Sequence, residues 1–259
     1  MSETSLSTQF VEKVAAGRKL LIPYIMAGAD DDWLDVIDAV IDAGADAVEI
    51  GLPFSDPILD GATIQEAGQQ SLDRGTTAQS ALAELAHRSF GAPLVVMTYY
   101  NVVCHMGHER FAGAARDAGI SGAIIPDLSL EELGDWAEVA DANDIDTILL
   151  VAPSSSPERT RALCERSRGF VYAVARMSVT GEQTAVTPDV GGVVAKIRAV
   201  PSPPICVGIG VSTPEQAHEV SRSADGVIVG SALVRRLLNG EGPEGAGTFV
   251  ASLRAGIDS

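Results

Sequence analysis

The chain has 259 residues, of which 46% are hydrophobic and 5% aromatic, and its formal net charge is −17 at pH 7. Its length allows one large hydrophobic core and no stretch resembles a linker, so we predict a single domain over residues 1–259. The negative charge argues against nucleic acid and anionic membranes as partners, because both attract lysine and arginine.

Apolar runs alternate with amphipathic segments along the whole chain. The apolar runs predict strands over residues 20–26, 47–52, 93–100, 120–125, 147–151, 170–174, 205–209 and 226–229. Helical spacing or capping signals predict helices around Phe10, over 32–43, 77–88, 109–118 and 129–143, and from 156, 213 and 231. A glycine-capped strand start recurs at 42–50, 117–125 and 224–229, which indicates a repeated βα unit.

Three helix starts carry explicit capping signals. Ser129 and Glu132 form a capping box, and Asn143 is predicted to end that helix in a left-handed conformation. Ser156 and Thr213 each precede a proline at the first helical position.

Eight alternating units predict a parallel sheet, and eight strands favour a closed (β/α)₈ TIM barrel with a short N-terminal helix over an open doubly wound sheet. The intervals after the second and sixth strands are longer than a unit needs and contain residues 53–72 and 177–190. In a barrel both long loops lie on the C-terminal face, where active sites form, so we expect the site and its lid there.

Glu49 interrupts the apolar run of the second strand. A carboxylate there is costly unless it is hydrogen-bonded, protonated or used in chemistry, although a satisfied glutamate at a strand end is the ordinary alternative. The loop that follows contains two prolines, Gly61 and the acids Asp56 and Asp60. Such a loop can hold a second carboxylate near the first.

Glycines lie at the C-terminal ends of the last two predicted strands. Gly208 and Gly210 end the seventh, and Gly230 with Ser231 ends the eighth and begins a helix. Backbone N–H groups at glycines and at a helix N-terminus can bind an anion, so we predict a phosphate site at this end of the barrel.

Cysteines and histidines indicate no metal site. Cys104, Cys164 and Cys206 are scattered, and free thiols fit a reducing cytoplasm. His105 and His108 have no acid or cysteine at ligand spacing, so we expect no metal. No apolar run approaches membrane-spanning length, and residues 1–9 lack the basic start of a signal peptide, so the prediction is a cytoplasmic protein.

The stretch over residues 49–65, with its Glu-x-Gly-x-Pro-Phe-Ser-Asp-Pro start and Asp60-Gly61, resembles the signature of the α subunit of tryptophan synthase. Shorter matches extend along the chain at residues 23–28, 100–101, 125–128, 179–181, 208–210 and 230–231. The resemblance implies a lyase that cleaves indole-3-glycerol phosphate to indole and glyceraldehyde 3-phosphate without a metal or an organic cofactor. Glu49 would act as general acid and base, and Asp60 would accept the indole N–H.

By the same resemblance, ten further residues would bind the substrate: Ile22, Tyr100, Leu128 and Ile148 as walls for indole, Tyr172 near Glu49, Thr180 in the lid, and Gly181, Gly210, Gly230 and Ser231 around the phosphate. The family also implies a β subunit that receives indole in an α₂β₂ assembly. Pyridoxal phosphate would belong to that partner, and the docking surface would include residues 53–56.

Two positions depart from the family pattern, and two other functions remain open. Ser178 stands where the family usually has glycine and Asp30 where it often has proline, which affects lid closure rather than the two acids. Another phosphate-binding barrel, such as an isomerase or a prenyltransferase, would explain the glycines but not the loop after the second strand. A non-catalytic regulatory subunit would have no need of Glu49 and Asp60.

Overall fold

The computed structural model describes residues 5–174 and 190–259. Within these ranges, parallel strands close a barrel in chain order: β1 (Leu20–Met26), β2 (Val48–Gly51), β3 (Leu94–Met97), β4 (Ile120–Ile124), β5 (Asp146–Val151), β6 (Val171–Val174), β7 (Ile205–Gly208) and β8 (Gly226–Val229). The predicted (β/α)₈ barrel is confirmed.

Helices surround the barrel, and α1 covers its N-terminal end. Their bounds are α1 (Leu6–Ala15), α2 (Trp33–Asp42), α3 (Ala62–Asp73), α4 (Ala78–Leu85), α5 (Tyr100–Met106), α6 (His108–Asp117), α7 (Gly134–Ala142), α8 (Pro157–Arg166), α9 (Val190–Arg198), α10 (Pro214–Ser221), α11 (Ser231–Leu238) and α12 (Gly242–Ile257). In the described part of the chain no helix is both long and apolar enough to cross a membrane.

Two large apolar clusters form most of the core, and a third, smaller cluster lies where β1, α3 and α11 meet. The barrel interior contains residues such as Ile22, Val95 and Ile148, and a larger cluster fills the space between strands and helices. Helix α1 closes the interior from below, where Phe10 stacks on Phe170 at 5.8 Å between ring centroids. Because the N-terminal end is plugged, the interior can open only at the C-terminal ends of the strands, where Glu49 lies.

The segment after β2 is only partly a loop. Residues 52–61 have no regular structure, and α3 then occupies most of what the sequence indicated as loop. Gly61 is the N-cap of α3, so the irregular part of the segment ends one residue after Asp60. A short, helix-anchored loop therefore carries the second acid.

The predicted strand over residues 93–100 is too long. Strand β3 ends at Met97, Tyr99 is an extended N-cap, and Tyr100 begins α5. The aromatic residues Tyr99 and Tyr100 favour strands in isolation, but the chain turns here at the C-terminal rim of the barrel. This difference of three residues at the end of the strand decides which tyrosine reaches the site.

The capping box predicted for α7 is also wrong. The Ser129 hydroxyl donates to the Glu132 carboxylate at 3.2 Å inside a turn, and the helix begins only at Gly134. At the other end Asn143 has φ −110° and donates its side-chain amide to the Val139 carbonyl, while Asp144 takes the left-handed conformation at φ 58°. The caps predicted at Ser156 and Thr213 are confirmed, since each hydroxyl accepts the backbone N–H three residues on.

Helix α12 was not predicted, because its glycines hide its periodicity. These glycines permit close helix packing: a β carbon at Gly256 would overlap the Pro214 carbonyl of the neighbouring α10. At Gly247 it would lie 3.3 Å from the Ala39 carbonyl of α2. The residues between them, including Phe249 and Leu253, are buried, so α12 seals the outer core against α2 and α10.

Candidate active site

Glu49 lies on β2 at the mouth of the barrel, between Tyr24 of β1 and Val95 of β3 in the sheet register. Glu49 is 1% exposed, and its carboxyl oxygen Oε2 has no hydrogen-bond partner among the described residues. Burial, with a smaller contribution from the negative charge of Asp60, raises the pKa of Glu49 from 4.5 to about 8. At neutral pH this carboxyl group is therefore mostly protonated.

Asp60 reaches the same place from the loop after β2. Its backbone is fixed by two hydrogen bonds: its N–H donates to the Pro57 carbonyl at 3.1 Å, and its carbonyl accepts the Gln65 side-chain amide at 2.9 Å. Burial raises the pKa of Asp60 to about 6, and a hydrogen bond from Tyr99 opposes that rise. Asp60 is thus mostly ionised at pH 7.

The two acids form a pair with opposite protonation states near neutrality. Such a difference between neighbouring carboxyl groups is typical of sites where one group transfers a proton and the other stabilises charge. The arrangement can protonate a carbon or oxygen atom from Glu49 while Asp60 accepts a hydrogen bond from a nearby N–H group. The prediction that the loop brings a second carboxylate to Glu49 agrees with this geometry.

Three tyrosines surround the pair, and the sequence reasoning identified only Tyr172. Tyr24 extends over Gly51 and Tyr172 over Gly208, so that a β carbon at either glycine would overlap the phenol oxygen. Burial, with the nearby acids, holds the pKa of both phenols well above 10. The signal that could have found Tyr24 is Gly51, since a glycine beside Glu49 leaves room for a large side chain from the adjacent strand.

Tyr99 is the third tyrosine; the sequence analysis named its neighbour Tyr100 instead, as a wall for indole. Its phenol oxygen accepts the backbone N–H of Leu59 at 3.0 Å, and the side chain beside its hydroxyl is the Asp60 carboxylate. Tyr100 faces elsewhere: its hydroxyl is 3.0 Å from His108 Nε2, and its N–H donates to Asp127. The structure therefore does not bring Tyr100 to the acids.

The apolar residues predicted as indole walls divide into three groups. Ile22 and Ile148 lie in the barrel interior but are almost fully buried, so they form a floor rather than an accessible wall. Leu128 packs in the outer cluster between strands and helices, and the structure does not bring it into the barrel interior. Half-buried Met97 and Leu150, together with Tyr172, lie at the top of the interior cluster and were missed as wall residues.

The glycine end of the site lies at β7 and β8, and only β1 separates β8 from the Glu49 strand β2. Gly230 is the N-cap of α11, Ser231 is its first residue, and Gly210 has a left-handed φ of 79°. The first N–H groups of a helix have no partner within it and carry a partial positive charge. Tyr24 links the two ends, because its Cβ would be 3.7 Å from a β carbon at Gly230 while its hydroxyl lies over Gly51.

Some predicted residues lie outside the described ranges. Thr180, Gly181 and Ser178 fall in the segment 175–189, so their predicted roles stay predictions. Within the described part of the chain, no three histidine, cysteine or acidic residues group as metal ligands.

Comparison with known proteins gives a consistent result. The family model described as tryptophan synthase alpha chain matches residues 10–253. The tryptophan synthase alpha chain of Picosynechococcus sp. is 43% identical, over 98% of this chain and 99% of its own length. That of Streptomyces coelicolor is 41% identical, over 93% and 92%. A solved structure of Mycobacterium tuberculosis tryptophan synthase superposes with a TM-score of 0.91 at 39% identity, over 98% of this chain and 99% of the other.

Proposed function

Since the chain belongs to the tryptophan synthase alpha chain family, it is a lyase that cleaves indole-3-glycerol phosphate to indole and glyceraldehyde 3-phosphate, and we propose that Glu49 and Asp60 carry out this retro-aldol cleavage. The observation that supports these roles is the opposite protonation of the two acids at the barrel mouth. Tryptophan biosynthesis is the pathway this reaction serves.

Glu49 acts twice. As a neutral acid it gives its proton to C3 of the indole ring, which becomes an indoleninium cation that keeps its N–H. The resulting carboxylate then removes the proton of the adjacent side-chain hydroxyl, and the carbon–carbon bond breaks as that oxygen becomes an aldehyde. The bond electrons return to the ring and restore aromatic indole. Glu49 ends protonated, so one buried carboxyl group with a pKa of about 8 completes the cycle.

Asp60 stabilises the charge that develops on the ring nitrogen. Protonation at C3 makes the indole N–H more acidic, and an ionised carboxylate that accepts its hydrogen bond lowers the energy of that state. A pKa of about 6 leaves Asp60 ionised at neutral pH, as this role requires. The half-buried position of its carboxylate strengthens the interaction relative to one in bulk water.

The substrate would span the mouth from the acids to α11. Met97, Leu150 and Tyr172 would contact the indole ring above the floor made by Ile22 and Ile148. The N–H groups at Gly230 and Ser231, with Gly210, would bind the phosphate, and Thr180 and Gly181 would complete the closed site.

The family supports a proposal for the partner and the location. A tryptophan synthase β subunit would receive the indole in an α₂β₂ assembly, and pyridoxal phosphate would reside in that subunit rather than in this chain. Ile58 is 76% exposed and Leu59 43% exposed, so the loop that carries Asp60 presents apolar surface that a partner could cover. We place the enzyme in the cytoplasm, with no nucleic acid or membrane partner.

Replacing Asp60 with asparagine tests the role of the second acid. We expect kcat for indole release by the isolated chain to fall about 10- to 100-fold, because the amide retains the shape but loses a charged hydrogen-bond acceptor. Asp56→Asn is the matched control, since that carboxylate is exposed in the same loop and bonded to Ser55. Equal rates for the Asp60→Asn variant and the wild type would remove Asp60 from the mechanism.

Replacing Gly230 with aspartate tests the phosphate end. Its Cβ fits, because the nearest atom is the Tyr24 Cβ at 3.7 Å, but its negative charge would repel the substrate phosphate. We expect KM for indole-3-glycerol phosphate to rise by about tenfold or more, which corresponds to about 1.4 kcal/mol. Gly113→Asp on α6, where a β carbon meets no atom within 4 Å, adds the same charge away from the mouth. An unchanged KM in the Gly230→Asp variant would mean that the substrate phosphate does not bind at Gly230.

A further inference from the structure

We propose that Tyr99 is a positioning residue for this reaction: its ring and hydroxyl hold the loop that carries Asp60, with the phenol next to that carboxylate. The inference rests on the role proposed above for Asp60 and goes beyond it, because it assigns the control of that acid to a side chain on a different strand-to-helix connection.

Packing holds the ring of Tyr99 in place independently of its hydroxyl. Tyr99 is the N-cap of α5, directly after β3, and is 6% exposed. Its ring stacks on Phe54 with centroids 5.0 Å apart and an angle of 27° between the rings. Phe54 is at the beginning of the loop 52–61, so Tyr99 packs against the start of the segment whose far end carries Asp60.

The hydroxyl then binds the backbone at that far end, at the residue before Asp60. The phenol oxygen accepts the Leu59 N–H at 3.0 Å, and the Asp60 carboxylate is the side-chain partner available to the phenol proton. A phenol that already accepts from a backbone N–H is oriented to donate to the neighbouring carboxylate. Ile58 and Leu59 are exposed, so this part of the loop gains little anchoring from apolar burial.

Among the groups around Asp60, Tyr99 is the one that lowers the pKa of its carboxyl group. Glu49 from β2 and the phenols of Tyr24 and Tyr172, from β1 and β6, face the same space, and Asp127 acts on Tyr99 from the segment after β4. At pH 7 Glu49 is mostly neutral and the phenols are uncharged. Burial raises the pKa of Asp60, and the hydrogen bond from Tyr99 is the contribution that lowers it.

The sign of the effect follows directly. A donor to the charged form of a carboxylate lowers its pKa, so removing the Tyr99 hydroxyl raises the pKa of Asp60 above its present value of about 6. A larger fraction of Asp60 is then protonated at pH 7 and cannot accept the indole N–H. The loss is reversed as the pH rises, because the carboxylate ionises again. A residue that served only the packing of the loop would lower activity equally at every pH.

The Tyr99→Phe variant tests the proposal, because it keeps the ring on Phe54 and removes only the hydroxyl. We expect the acid limb of the pH profile of kcat/KM to move up by about one pH unit. The rate relative to wild type should therefore be lowest at acid pH and recover at higher pH. The matched control is Tyr100→Phe, which removes the neighbouring hydroxyl bound to His108 and should leave the acid limb in place.

A second measurement does not depend on turnover. In protein labelled with ¹³C at the aspartate carboxyl carbon, the Asp60 resonance is identified by its loss in Asp60→Asn, and we expect its titration midpoint to rise by about one pH unit in Tyr99→Phe. An Asp60 midpoint and an acid limb that stay unchanged in Tyr99→Phe would overturn the inference.

The same set of variants separates this inference from the proposed function. If Asp60→Asn is slow but Tyr99→Phe titrates like wild type, Asp60 keeps its role and Tyr99 loses its own. If Asp60→Asn is as fast as wild type, the proposed role of Asp60 fails, whereas the shift of the Asp60 resonance still reports on Tyr99. In the Asp60→Asn background, Tyr99→Phe should no longer change the pH profile, because the group on which it acts is gone.

Discussion

Replacing Glu49 with glutamine is expected to lower kcat for indole release by about 10²- to 10⁴-fold, the range typical of losing a general acid–base group. Glutamine has nearly the same shape, so the substrate should still bind and KM should change by less than about threefold. The amide can neither give a proton to C3 nor take one from the hydroxyl, and both steps of the cycle are lost together. The measurement is steady-state indole release from indole-3-glycerol phosphate across pH 5–9.

The control for this variant is Glu66→Gln. Glu66 is a glutamate on α3 whose carboxylate pairs with Arg235 at 2.8 Å, away from the barrel interior, so its loss should leave kcat within about twofold. Wild type should lose activity as the pH rises through about 8, since Glu49 must be protonated to begin the cycle. Equal indole release by Glu49→Gln and wild type would overturn the assignment of Glu49.

The barrel and its catalytic face were predictable because they depend on periodic, strongly apolar segments. Strand β1 was predicted with the bounds that the structure has, and the recurring glycine cap before a strand reflects a single βα unit repeated along the chain. Glu49 stood out because a carboxylate is costly inside such a strand. The prolines and Gly61 of the following loop indicated that Asp56 or Asp60 could lie near Glu49, and the family resemblance selected Asp60.

Details at strand ends were not predictable from the residues alone. Tyr99 and Tyr100 are identical in chemistry, and only the point at which β3 stops decides which of them turns toward Asp60 and which toward His108. Leu128 is as apolar as an indole wall requires, but its place after β4 puts it in the outer core. The glycines of α12 conceal a helix, because they are selected by close helix contacts that only the folded barrel creates.

The burial of Glu49 should also make the stability of the fold depend on pH. The folded-state pKa of about 8 lies above the unfolded value near 4.5, so below pH 4.5 both states hold the proton and Glu49 costs nothing through ionisation. As the pH rises from 4.5 to 8, the unfolded chain releases the proton and the folded chain retains it, so the free energy of unfolding falls. The full loss is roughly 4 to 5 kcal/mol above pH 8.

Glu49→Gln removes this dependence, because an amide does not titrate. We will compare the free energy of unfolding of wild type with that of the variant, both measured in urea. We expect the wild-type-minus-variant difference to be smaller at pH 8.5 than at pH 5, by a few kcal/mol. Asp60 shifts in the same direction, but it is present in both proteins and largely cancels in the comparison. A wild-type-minus-variant difference that is the same at both pH values would mean that Glu49 is already ionised in the folded protein. It could not then supply the first proton of the cleavage at neutral pH, so this stability measurement tests the chemical role without any substrate.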